Sequence, residues 1–230
     1  MREVDDALRE DQLVNVVQRY GRWIALVLAA GLIGLAGWLW HGERRSAEAG
    51  KAGEKFVIAL DQVEAGRLAQ ASSALTPLAT DGDAGPRAAA RLMQAGIALE
   101  QGRRADAARL FHAVSRDAEA PGPYREIAKI RDVATRFDTL SPEEVIDRLK
   151  PLATPGNPWF GSAGELVGAA YLKQGRGDLA GPLFAAIAKD TTTPKSLRSR
   201  AQQLAGLLGV DAVTDVAQAA EAPPASGQQP

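Results

Sequence analysis

The sequence predicts an all-α protein in which one N-terminal transmembrane helix is followed by a solenoid of short antiparallel helical hairpins. Three observations carry that prediction. Ala, Leu and Gly dominate the small and apolar residues, and aromatics make up only 5% of the 230 residues. That is a composition for closely packed helices, whereas sheets favour β-branched and aromatic side chains. An uncharged apolar run occupies residues 23–40. Beyond it, a spacing of small, glycine and aromatic residues returns along the chain, as it does where one supersecondary unit is repeated. The expected organisation is an N-terminal segment at 1–22, the membrane helix at 23–40, the repeat domain at 46–209 and a disordered tail at 210–230.

The run from Trp23 to Trp40 reads WIALVLAAGLIGLAGWLW. At about 1.5 Å per residue its length is about 27 Å, enough to cross a bilayer's hydrocarbon. Trp23 stands at one edge and Trp38 and Trp40 at the other, with Tyr20 and Arg22 before and His41, Arg44 and Arg45 after. Indole rings favour the headgroup boundary, so both ends carry interface markers. The small-x-small triplet Ala47-Glu48-Ala49 lies too far past the run to serve a signal peptidase, so the helix is expected to be retained. Arg9, Arg19 and Arg22 precede it and Arg44, Arg45, Lys51 and Lys55 follow it, so the basic-residue rule selects neither orientation. Ala30, Gly31, Gly34 and Gly37 offer a small-residue face of the kind on which membrane helices pack.

Beyond the anchor, one copy of the recurring pattern reads Ala95, Ala98, Gly102, Ala107, Phe111 and Val114, and a second reads Gly168, Tyr171, Gly175, Ala180, Phe184 and Ile187. A weaker first copy carries Ala59, Gly66, Ala71, Leu75 and Leu78. These spacings resemble the tetratricopeptide repeat: small residues let two helices close up, Gly ends the first helix, and the later aromatic fills the gap between hairpins. Between Pro123 and Ala153 that glycine is missing, yet Ile127, Ile130, Ala134 and Phe137, then Val145, Ile146, Leu149 and Leu152, recur at helical spacing. This stretch is read as a degenerate hairpin. Ser141-Pro142-Glu143-Glu144 supplies its second start signal, a cap residue, a first-turn proline and two acids that suit the helix dipole. Pro194–Leu208 reads as a polar-backed helix that seals the stack. From Val210 the residues Ala, Pro, Gly, Ser and Gln replace the pattern, which leaves too little apolar surface to order the tail.

Stacked hairpins present the first helix of each pair on one face, where a peptide or extended segment can lie. Leu92, Leu99 and Glu100 on one copy and Glu165, Leu172 and Lys173 on the other are the candidate protein-binding residues.

Other functions lack the residues they need. Lys and Arg number 27 against 28 Asp and Glu, without the basic excess of a nucleic-acid binder. Cysteine is absent, which removes disulfides, thiolate metal sites and a cysteine nucleophile. His41 and His112 have no second histidine or carboxylate at ligand spacing, so no metal site is expected. The adjacent pairs Asp5-Asp6 and Glu143-Glu144 diverge on a helix and make no acid–base couple. Gly82-Asp83-Ala84-Gly85 has no lysine or helix start of Walker type behind it. No catalytic residue and no cofactor are expected.

The residues around the N-terminal apolar run are more specific than the repeats. Glu3-Val4-Asp5-Asp6, Arg9-Glu10-Asp11-Gln12-Leu13, Arg19-Tyr20-Gly21, a membrane helix closing on Gly37-Trp38, and Ala47-Glu48-Ala49-Gly50 leading to Phe56 and Ala59-Leu60 stand in that order. Together they resemble the YfgM-type ancillary subunit of the SecYEG translocon, in its alphaproteobacterial form. The resemblance implies a bacterial inner-membrane protein with a cytoplasmic N-terminus and a periplasmic repeat domain. Its implied partners are the SecYEG translocon and a periplasmic prolyl-isomerase-like chaperone, and its implied role is to assist emerging secreted chains. The alternative consistent with the same repeats is an envelope scaffold for cell division or peptidoglycan synthesis.

Overall fold

Three Gly-Arg dipeptides set the architecture. Gly66, Gly102 and Gly175 lie at φ of 71°, 74° and 72°, in the left-handed region that a side chain makes costly. In each, the glycine N–H and the following arginine N–H turn back onto the helix just ended. Gly102 donates to the Leu99 carbonyl at 2.9 Å and Arg103 to Ala98 at 2.8 Å, and Gly175 and Arg176 repeat this on Leu172 and Tyr171 at 2.9 and 2.8 Å. This is the Schellman arrangement, which satisfies carbonyls that a helix end leaves without partners. Two residues thus stop one helix and aim the next.

The computed structural model describes residues 50–211. The apolar run at 23–40, most of the N-terminal residues that carry the family resemblance and the tail from 212 lie outside them. The chain divides into two compact units, residues 1–54 and 55–230. Among the described residues no helix is long and apolar enough to cross a membrane.

Residues 50–64 are helical (α1). There follow α2 (Leu68–Asp81), α3 (Ala84–Glu100), α4 (Arg104–Arg116), α5 (Gly122–Thr135), α6 (Pro142–Leu149), α7 (Phe160–Lys173), α8 (Gly177–Lys189) and α9 (Lys195–Leu207). Among the described residues these nine helices occur without a strand. The turns at Gly66, Gly102 and Gly175 join α1 to α2, α3 to α4 and α7 to α8, as the repeating pattern predicts.

The degenerate third hairpin is α5 with α6. Its first helix ends at Arg136 with φ −107°, without a left-handed glycine, and its second helix is only 8 residues long. The start signal works as expected: the Ser141 hydroxyl accepts from the Glu144 N–H, Pro142 is the first helical residue, and Glu143 and Glu144 fill the first turn. Without the tight glycine turn α6 leans on α7 more than on α5, and it makes no contact with α4.

The core is shared between neighbours. One cluster joins Ala88 of α3, Val114 of α4 and Ala128 of α5. Another joins Ile130 and Val133 of α5, Val145 and Leu149 of α6, and Ala163, Val167 and Ala170 of α7. A third takes Phe160 of α7, Phe184 and Ile187 of α8, and Leu197, Ala201 and Ala205 of α9. A hairpin this small cannot bury its apolar face alone, so stability comes from the interfaces. The first helices meet in series, α3 on α5, α5 on α7 and α7 on α9.

The last helix ends like a first helix. Gly209 has φ 75°, and the Gly209 and Val210 N–H groups turn back to the Gly206 and Ala205 carbonyls at 3.0 and 2.9 Å. Val210, where the expected tail begins, packs against the α8–α9 cluster.

Candidate protein-binding site

The six candidate residues fall on two helices. Leu92, Leu99 and Glu100 lie on α3 and Glu165, Leu172 and Lys173 on α7, with α5 between, touching both. Their surroundings differ. Leu92 is half-buried and packs into both clusters that α3 shares with its neighbours. Leu99 packs on the Ala95, Ala98, Ala107 and Phe111 cluster, and Glu100 is exposed at the end of α3.

On α7, Glu165 accepts two bonds from Arg200 of α9, at 2.7 and 2.9 Å. That pairing raises the pKa of the Arg200 guanidinium further above its ordinary value. Lys173 donates to the Phe137 carbonyl at 3.1 Å, stands 4.2 Å from the Phe137 ring centre and 3.6 Å from Asp138 Oδ1. Leu172 is exposed. Glu165 and Lys173 thus clasp adjoining elements, while Glu100 and Leu172 face outward. An exposed apolar stretch also lies on α1, at Val57, Ile58 and Leu60.

Sequence periodicity does not point to a second surface, between α4 and the end of α5. A cleft of about 680 Å³ opens between the start of α4 and the end of α5, within the range of about 300–1,000 Å³ usual for ligand sites. Ala105, Ala108 and Ala113 of α4 supply its apolar wall, and Arg104, Arg109, His112 and Arg136 its polar lining. The opening coincides with the irregular hairpin, where α6 does not reach α4.

A buried acid anchors one edge of this cleft. The side chain of Asp132 is 3% exposed. Arg136 donates to both of its oxygens, Arg148 Nη1 approaches to 3.5 Å and His112 Nδ1 stands 3.3 Å away. A buried carboxylate requires partners of this kind. Spacing along the chain gives His112 no carboxylate, because Asp132 belongs to the next hairpin. Among the described residues no group of acids and histidines is arranged to hold a metal ion. At the outer rim, Asp106 is held below the usual carboxylate range by hydrogen bonds from Arg109 and then Arg103. Arg104 donates to the Thr135 carbonyl at 3.2 Å across the mouth. A helix does begin at Ala84, within Gly82–Gly85, but no lysine accompanies it to make a phosphate loop.

Repeat arrays of this architecture are generally non-catalytic modules that bind other proteins. No curated protein and no solved structure matches the chain. The model of the tetratricopeptide repeat-like domain family matches residues 17–205, which agrees with the helical hairpins, their glycine turns and their shared core, and the chain belongs to that family.

Proposed function

We propose that this protein is a membrane-anchored adaptor that holds partner proteins at the site of protein translocation, with its repeats on the periplasmic side of a bacterial inner membrane. The observation that carries the adaptor reading is the series of hairpins itself, α3 on α5 on α7 on α9, which offers a continuous row of helices for a partner to lie on. The family match begins at residue 17, ahead of the apolar run at 23–40, and so takes in that run together with the repeats. The residues on either side of that run, and their order, support the association with the SecYEG translocon and a prolyl-isomerase-like chaperone.

Two measurements test this. A phosphatase fused after residue 230 is active only if the C-terminal side lies outside the cytoplasm, and an inactive fusion refutes the placement. Solubilisation under conditions that keep the translocon intact should recover the protein with it. Recovery of the protein alone, or a depletion strain with normal export and defective septation, favours the scaffold reading instead.

A further inference from the structure

The α4–α5 cleft combines two features that call for a particular occupant. Its lining holds three arginines and a histidine and no acidic side chain, in a chain whose overall charge is −1. The acids beside the lining are already engaged, Asp132 with Arg136 and Arg148, Asp138 with Lys173, and Asp106 with Arg103 and with Nη2 of Arg109, whose Nε and Nη1 donors can serve a further acceptor. Arg104 is exposed and donates to one backbone carbonyl, which leaves most of its five donors for other acceptors. Guanidinium groups arranged this way recognise carboxylates, often with two parallel bonds each. The second feature is the alanine wall. Ala105 and Ala113 are exposed although they lie on the cleft, and a bare alanine surface accommodates an apolar side chain that longer residues would exclude.

We propose that this cleft binds an acidic, extended segment of a partner protein, with carboxylates on Arg104 and Arg109 and an intervening apolar side chain against Ala105 and Ala113. The basis is charge complementarity on a surface that the irregular hairpin leaves uncovered. The inference rests on the adaptor reading and names one class of client for it. Arg136 keeps Asp132 in place and forms the fixed end of the cleft.

The experiment uses the full chain in detergent micelles and a fluorescent octapeptide of alternating Asp and Val, followed by anisotropy. Saturable binding is expected, weakened by about tenfold or more in the Arg104→Glu/Arg109→Glu variant, the factor expected when charge-assisted bonds are lost. Ala113→Trp fills the cleft without changing charge and should abolish binding, which keeps the test decisive if the charge variant unfolds. An octapeptide of alternating Lys and Val should not bind. Absence of binding up to about 1 mM, equal binding of the Lys peptide, or equal affinity in Ala113→Trp overturns the proposal. So does equal competition by free succinate, which would mark a small-carboxylate site, or competition only by anionic vesicles, which would mark a membrane contact. Translocon copurification that persists while the peptide fails to bind removes the cleft and leaves the adaptor reading standing.

Discussion

Replacing Gly168 with alanine tests the packing of the last hairpin at one atom. A Cβ built on Gly168 would meet Phe184 Cζ at 2.5 Å and Cε1 at 2.6 Å, against about 3.5–4.0 Å for carbon atoms in comfortable contact. The ring can yield only by displacing packed neighbours, because Phe184 is fully buried in one cluster with Ala180 and Ile187. Overpacking of this kind costs about 1–3 kcal/mol, partly offset by the roughly 1 kcal/mol that alanine gains over glycine in a helix. The net is a loss of about 0–2 kcal/mol. Gly96 is the control, since it too lies inside a helix but a Cβ there meets nothing within 4 Å. Gly96→Ala should stabilise by about 0.5–1 kcal/mol. At about 2–4 °C per kcal/mol for a chain of this size, Gly168→Ala should melt at or below the parent and Gly96→Ala above it. The assay is far-UV circular dichroism of the full chain in detergent. Phe184→Leu should relieve the clash, so the double variant with Gly168→Ala should lose less stability than the two single changes added together. A Gly168→Ala protein that melts as high as Gly96→Ala would show that Phe184 does not fill the gap beside Gly168, and the repeat register would be wrong.

Phe184→Ala should cost about 3–5 kcal/mol, since its fully buried ring leaves a cavity; thermal melting reads this directly. Gly175→Val should lower stability by roughly 1–2 kcal/mol through backbone strain alone, because φ is +72° there and a Cβ meets no neighbour; an unchanged melting temperature refutes the turn. Asp132→Ala should cost about 1.5–3 kcal/mol, since it removes the carboxylate that Arg136, Arg148 and His112 share while leaving those groups accessible to water; urea titration measures it. Asp190 is held below its usual range by the hydroxyls of Thr193 and then Thr192. Its contribution is complete above its unfolded pKa near about 4 and is lost as pH falls through the lower folded value. Asp190→Asn should therefore flatten the acid-side decline, as melting temperatures measured across that interval will show.

Much of the fold was legible because its signals are local. A glycine at the end of a helix is read from neighbouring residues, and Gly66, Gly102 and Gly175 adopt one turn because each meets the same short-range demand. The cap at Ser141 and the paired helices of the irregular hairpin are local in the same sense. The candidate residues were less legible. Their helical position follows from spacing, but Glu165 binds Arg200 and Lys173 binds the Phe137 carbonyl, partners 35 and 36 residues away in the chain.

The helices, their turns, their pairing and the apolar run at 23–40 can be read along the chain, since each depends on residues within a few positions of one another. Where helices fail to meet is set by packing between elements distant in the chain. The cleft exists because α6 is short and rests against α7, leaving Arg104 and Arg109 of one hairpin facing Arg136 at the end of the next helix. Asp132 and His112 meet for the same reason, as their contact spans a hairpin boundary that no periodicity crosses. Packing between repeats sets such sites, and the sum of many weak contacts that fixes it is not written in any single stretch of chain.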